Sequence, residues 1–192
     1  MAEVLLFHHA LGLTPGVHAF ADSLRAAGHT VHTPDLFDGR TFDDVGAGVG
    51  FAGEIGFDEV QARGLRAADA LPESVVYAGF SLGVMPAQRL AQTREGAAGA
   101  VLMESCVPAT AFGERWPAGV PVQVHGLDAD EFFVGDGDID HARAIVAEAD
   151  RGELFLYPGD GHLFADPASP SHDADAAALL LKRVVAFLDT VG

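Results

Sequence analysis

The sequence predicts an α/β fold, a mostly parallel sheet of about six or seven strands with helices on both faces. Three observations carry this. Short apolar runs alternate with stretches of helical periodicity along all 192 residues, the pattern of strands joined by crossover helices. The runs are apolar at nearly every position, as strands buried on both faces are. There are no repeats, linkers or low-complexity tails, and no insertion is long enough to form a lid domain. One domain over residues 1–192 is expected.

The elements follow in order. Val4-Leu5-Leu6-Phe7 reads as the first strand. Phe20, Leu24 and Ala27 mark one face of a helix that Gly28 ends. Thr30-Val31-His32-Thr33 is a second strand, stopped by Pro34. A glycine-rich loop, 46–53, precedes a helix at about 56–71. A strand at 75–79 and a helix at 82–94 come next, with Pro86 expected to kink the helix or cost it a hydrogen bond. Strands at 100–103, 121–125 and 154–157 follow, with a helix at about 138–149 between the last two. A helix near 173–189 closes the chain, with Leu179, Leu180, Val184 and Leu188 on its apolar face.

Composition excludes several function classes. The chain has 28 acidic and 11 basic residues, a net charge of −17. That disfavours nucleic acid and anionic membranes as partners. Single Cys106 allows no intrachain disulfide and fits a reducing compartment. The start, Met1-Ala2-Glu3, has no basic region or cleavable apolar segment, so a cytoplasmic location is expected.

The chemistry centres on Gly79-Phe80-Ser81-Leu82-Gly83. The pentapeptide G-x-S-x-G is weak evidence alone, but here it joins a strand to a helix. A serine on such a turn is strained and pushed clear of the sheet, as in a nucleophile elbow. Ligands of such sheets bind at the carboxyl ends of the strands, so partners are sought there. The loop after 121–125 offers Asp128 and Asp130, and the loop after 154–157 offers His162. The order Ser81, acid, His162 is that of α/β-hydrolases. A serine hydroxyl needs a base to attack near neutral pH, and imidazole can take its proton and return it to the leaving group. A carboxylate on the far nitrogen fixes the tautomer. The two aspartates are two residues apart, and only one can serve.

Among nine histidines, only His162 sits in a Gly/Asp loop after the last strand. The oxyanion hole needs two backbone N–H groups. Leu82 supplies one, and the loop after the first strand the other, from Ala10 or, next, Leu11. His9, Leu11 and Phe80 are candidates to line the site. The 46–53 loop and the segment near Trp116 are candidate pocket walls. Gly48 to Gly53 matches G-x-G-x-x-G but does not directly follow a strand, so no dinucleotide site is read there. Asp136 to Asp140 lacks the turn glycine of a calcium loop. His8-His9 has no third ligand at recognisable spacing. No metal and no cofactor are expected.

Four segments together resemble the dienelactone hydrolase family of the α/β-hydrolases over nearly the whole chain: the elbow, Pro34 to Gly39, Gly126 to Phe132, and Gly161 to Phe164. The resemblance implies an α/β-hydrolase fold without a large lid, and it favours Asp130 over Asp128. Many members carry cysteine as nucleophile, where this chain has Ser81. His9 is the match to a glutamate that members often carry in the oxyanion loop. Members that hydrolyse dienelactone hold its carboxylate with arginines, one shortly after the histidine. Here that region reads Phe164-Ala165-Asp166, so dienelactone itself is not the expected substrate.

The sequence therefore points to a serine hydrolase of small carboxylic esters or lactones, acting through an acyl-enzyme. The alternative is a catalytically silent domain of the same fold that binds a small molecule or a protein.

Overall fold

The structure is a computed structural model and describes residues 1–192. Six strands form one parallel sheet: β1 (Glu3–Phe7), β2 (Thr30–His32), β3 (Val76–Phe80), β4 (Gly99–Met103), β5 (Val122–Leu127) and β6 (Gly152–Tyr157). Their order is β2-β1-β3-β4-β5-β6. The helices are α1 (Pro15–Ala26), α2 (Val45–Ile55), α3 (Phe57–Ala67), α4 (Val84–Thr93), α5 (Asp138–Glu148) and α6 (Ala174–Val191). None is long and apolar enough to cross a membrane.

Alternate side chains of each strand enter opposite cores. Val4 and Leu6 pack with Phe20 and Leu24 of α1 and with Leu180, Val184 and Leu188 of α6. Leu5 and Phe7 belong to the other core, with Val60 of α3, Leu90 of α4 and Ile145 of α5. Strand order reverses at β1, which has β2 on one side and β3 on the other. The loops leaving β1 and β3 therefore part at their carboxyl ends and open a crevice.

Two expectations need correction. Residues 46–53 are not a loop but most of α2. The Asp44 side chain accepts from the Ala47 N–H at 2.8 Å and caps the helix. Phe51 packs against Phe37 and Phe42, with ring centroids 5.3 Å away in each case. Tertiary packing thus overrides the poor helix propensity of glycine. Gly48 is needed because a side chain there would strike the carbonyl of Ala10. The G-x-G-x-x-G pattern therefore includes a helix-packing glycine. Gly56, at φ 93°, separates α2 from α3. Pro86 does not kink its helix. The chain turns once as a tight helix at Ser81–Gly83, and α4 starts at Val84. Pro86 thus falls in the first α-helical turn, where no intrahelical N–H bond is lost.

The elbow is built as the pentapeptide requires. Ser81 has φ 45°, a left-handed conformation rare for a residue with a side chain. A Cβ on Gly79 would strike the Gly83 carbonyl, and one on Gly83 would lie 2.6 Å from the carbonyl oxygens of Phe7 and His8. Both obstacles are backbone and cannot swing aside. Gly83→Ala should destabilise the protein by about 1–3 kcal/mol through overpacking. Urea denaturation measures this, and an unchanged midpoint would contradict the packing described.

Candidate active site

Five strand ends meet at the carboxyl edge of the sheet. Ser81 follows β3, Glu104 follows β4, Asp130 lies in the loop after β5, His162 in the loop after β6, and His8 to Thr14 follow β1. The Ser81 Oγ lies 2.8 Å from His162 Nε2. The His162 Nδ1 lies 2.7 Å from Asp130 Oδ2. Asp130 is fully buried. Its other oxygen accepts from the Phe132 N–H at 2.9 Å, which starts the wide helical turn Glu131–Gly135. The ring of Phe132 lies 4.5 Å from that of His162. Asp128 is exposed, and its side chain accepts instead from the Gly159 N–H at 3.0 Å. The carboxylate that meets His162 is therefore Asp130.

Burial disfavours the charged form of His162. The Asp130 hydrogen bond and the charges of Glu104, Asp130 and Asp138 outweigh this and hold its pKa above the ordinary value of 6.5.

The loop after β1 is fixed by a buried network. His9 Nδ1 accepts from the Leu11 N–H at 3.2 Å, so Nε2 carries the proton and donates to Asp166 Oδ2 at 2.6 Å. Thr14 Oγ1 donates to the same oxygen at 2.6 Å, and the Ala168 N–H to the other at 2.6 Å. The network ties the loop after β1 to the loop that carries His162. It also decides between two donors. The Leu11 N–H is occupied, whereas the Ala10 N–H has no partner within the protein. Leu82 stands in the first turn after the elbow, where N–H groups lack intrahelical partners. His8 is also fully used: its Nδ1 bonds the His9 carbonyl at 2.7 Å, and its Nε2 accepts from the Leu36 N–H at 3.0 Å. Burial lowers its pKa to about 4, so it stays neutral.

Three candidate lining residues are therefore corrected or kept by geometry. His9 is completely buried behind the loop and faces Asp166, not the crevice. Phe80 is buried on the α1 side, edge-on to Phe20 at 5.1 Å. Leu11 does line the cleft. Trp116 is not a wall, since it is buried and its Nε1 donates to the Val120 carbonyl at 2.7 Å. Asp166 does not stand ready to repel a substrate, because His9, Thr14 and Ala168 hold it inward. Cys106 is buried, and burial pushes its thiol up, away from the thiolate.

A cleft of about 590 Å³ reaches the ring of His162. Leu11, Val45 and Phe132 supply apolar wall, and Asp43, Asp44, Glu131 and Asp160 supply four carboxylates. No lysine or arginine lines it. The acidic rim was not legible beforehand, because its members come from three separate loops.

Glu104 was also missed. It is 1% exposed, and neither carboxyl oxygen has a hydrogen-bond partner. A glutamate directly after the wholly apolar run Ala100 to Met103 was the available signal.

Comparison with known proteins shows the family and the fold. The family model of dienelactone hydrolases matches residues 1–192. The chain belongs to the dienelactone hydrolase family. It is a hydrolase of the dienelactone hydrolase type. Solved structures show the same fold at low identity. An α/β superfamily hydrolase from Xanthomonas campestris is 22% identical, with 99% of each chain covered and a TM-score of 0.70. A dienelactone hydrolase-like promiscuous phosphotriesterase from metagenomic libraries is 19% identical, with 100% of this chain and 87% of that one covered and a TM-score of 0.70. Esterase 2 of Thermogutta terrifontis, phosphonylated by cyclosarin, is 15% identical, with 100% and 83% covered and a TM-score of 0.72. No curated protein matches the chain.

The buried network yields a stability test. Burial opposes ionisation of Asp166, but its bonds from His9, Thr14 and Ala168 win and depress its pKa below 3.8. As pH falls, the unfolded chain takes up this proton before the folded one does. The stabilisation is thus complete above 3.8 and is lost as acid reaches the lower folded value. Asp166→Asn should lower the Tm by roughly 5–10 °C near neutral pH and by progressively less as the pH falls below the ordinary carboxyl value of 3.8. Thermal melts across pH check this. An equal loss at every pH would show that the charge is not what matters.

Proposed function

We propose that the protein is a serine hydrolase of small carboxylic esters or lactones that works through an acyl-enzyme. The observation that carries this reading is the unbroken hydrogen-bonded series from Ser81 through His162 to Asp130. Ser81 Oγ attacks the carbonyl carbon while His162 Nε2 takes its proton. Asp130 accepts from Nδ1–H, holds that tautomer and stabilises the imidazolium. The carbonyl oxygen becomes an oxyanion, and the free N–H groups of Ala10 and Leu82 receive it. His162 then protonates the leaving oxygen. In the second half, His162 deprotonates a water that attacks the acyl carbon, and Ser81 recovers its proton. Cys106 takes no part, since its thiol is buried and held protonated.

The cleft argues for the kind of substrate. Four carboxylates and no cation at its wall repel anionic esters, and dienelactone carries a carboxylate. Neutral or cationic small esters are therefore the proposed substrates, with neither nucleic acid nor an anionic membrane surface as partner. The free thiol of Cys106 fits a cytoplasmic setting.

Ser81→Ala should cut kcat at least about a thousandfold, leave the fold intact and abolish labelling by a fluorophosphonate probe. Absence of labelling in the native protein would favour a silent binding domain instead. A panel of p-nitrophenyl esters tests the cleft: neutral acyl groups should be cleaved with higher kcat/KM than acyl groups bearing a carboxylate. A kcat/KM for dienelactone above those of neutral esters would contradict the substrate assignment. The base must be unprotonated, so kcat/KM should fall as pH drops through a midpoint above 6.5.

A further inference from the structure

One buried acid has no part in the scheme above. Glu104 directly follows β4, which lies between the strand that leads to Ser81 and the strand that leads to Asp130. Its backbone has φ 65°, a conformation a glutamate rarely adopts. Its N–H donates to the His125 carbonyl at 2.7 Å, which pins the strand end. The side chain is turned inward, 1% exposed, with both oxygens unpartnered. A buried carboxyl group without hydrogen bonds is costly, and a core position without function would favour an apolar residue. The charged groups acting on it are His162 and Asp130, and the N–H groups of Phe164 and Ala165, in the His162 loop, act weakly on it to favour its charge, although neither meets hydrogen-bond geometry.

Resting on the serine-hydrolase reading, we propose that Glu104 is a second carboxylate of the site, a positioning residue that acts through His162 by stabilising its protonated ring. The ring becomes cationic each time it takes the Ser81 proton. An ionised Glu104 beside it lowers the energy of that state. No bond to Glu104 forms or breaks, and the reaction keeps its proton balance. Asp130 sets the tautomer and direction of the ring through a bond of 2.7 Å, while Glu104 adds only field.

The groups are tuned for such coupling. Burial pushes Glu104 up to about 7, the His162 charge lowers it, and the Asp130 charge raises it again. Glu104 in turn raises the pKa of His162. Near neutral pH each group makes the other easier to ionise.

Two readouts test this. An NMR titration of the His162 ring, assigned by its loss in His162→Asn, is run on the native protein and on Glu104→Gln. The midpoint should fall by about one pH unit in the variant. The acid limb of kcat/KM should move with it, and kcat should drop roughly tenfold. A merely structural role would lower activity at every pH with both midpoints unmoved, and that result overturns the proposal. Should Glu104→Gln fail to fold, Glu104→Met removes the charge at similar volume, and the same shift is required of it. Fluorophosphonate labelling of Ser81 is scored separately. Loss of labelling in the native protein would sink the serine reading, whereas an unmoved ring titration with labelling intact would sink only the role of Glu104.

Stability supplies a further check. The unfolded carboxyl ionises near 4.5 and the folded one near 7, so native stability falls as pH rises between those values. The Tm of Glu104→Gln minus that of the native protein should therefore grow over this interval. A difference independent of pH would show that Glu104 ionises as freely in the fold as outside it, against the proposal.

Discussion

The site depends on one close approach, the backbone of the elbow pressed against the end of β1. Gly83 lies so near the carbonyl oxygens of Phe7 and His8 that no side chain fits. Gly79 meets Gly83 across the turn in the same way. This contact places Ser81 at φ 45° beside the loop that follows β1. Ser81 and the Ala10 N–H then follow adjacent strands, and sheet spacing sets the separation of their backbones. The strain at Ser81 is held by β3, α4 and β1 together, which is why a tight packing arrangement can sustain it.

The same loop shows how a backbone donor is kept free. His9 occupies the Leu11 N–H and leaves that of Ala10 without a partner. Asp166 holds the far nitrogen of His9, and Thr14 shares the carboxylate. The carbonyl of the peptide that carries the Ala10 N–H is that of His9, and it is held by His8 Nδ1 at 2.7 Å and by the Gly12 N–H at 3.0 Å. A peptide held at its carbonyl in this way does not need to reorient when charge develops near its N–H. Family resemblance pairs His9 with a glutamate beside the nucleophile. In this chain the position holds the loop from behind and does not face the crevice.

Much of this was legible in advance, and the limits were physical. The strands themselves, the elbow and the carboxyl-edge loops followed from short-range patterns, because buried parallel strands are apolar at nearly every position, whereas their order in the sheet did not. The helical state of 46–53 was not, since glycine content argues for a loop while Phe37, Phe42 and Phe51 decide for a helix from a distance. Phe80 sits beside Ser81 in the chain yet points into the α1 core, because neighbouring strand residues face opposite sides. Asp128 and Asp130 are the same residue type two positions apart, and only the resemblance of their segment to the family favoured Asp130 beforehand. Only the return of β6 alongside β5 assigns Asp128 to the Gly159 N–H and leaves Asp130 for the ring. Those distinctions lie in long-range contacts that no local pattern encodes.

Four acids that follow β4, β5 and β6 illustrate how environment changes the state of one chemical group. Asp128 is exposed and binds only a loop amide. Asp166 is buried but receives bonds from an imidazole, a hydroxyl and an amide, so burial is overcome and its charge is kept. Asp130 is buried with one bond to a ring and one to an amide. Glu104 is buried with none and is pushed up to about 7. Burial pushes both Asp166 and Glu104 up, and the donors that Asp166 has and Glu104 lacks reverse the direction for Asp166 alone. His162 feels both Asp130 and Glu104, so its basicity is set by an acid it touches and by one it does not. In the reaction proposed above, a base raised in this way is a stronger proton acceptor for Ser81, at the cost of being more often protonated before substrate arrives. That balance is the quantity on which the activity of such a site turns.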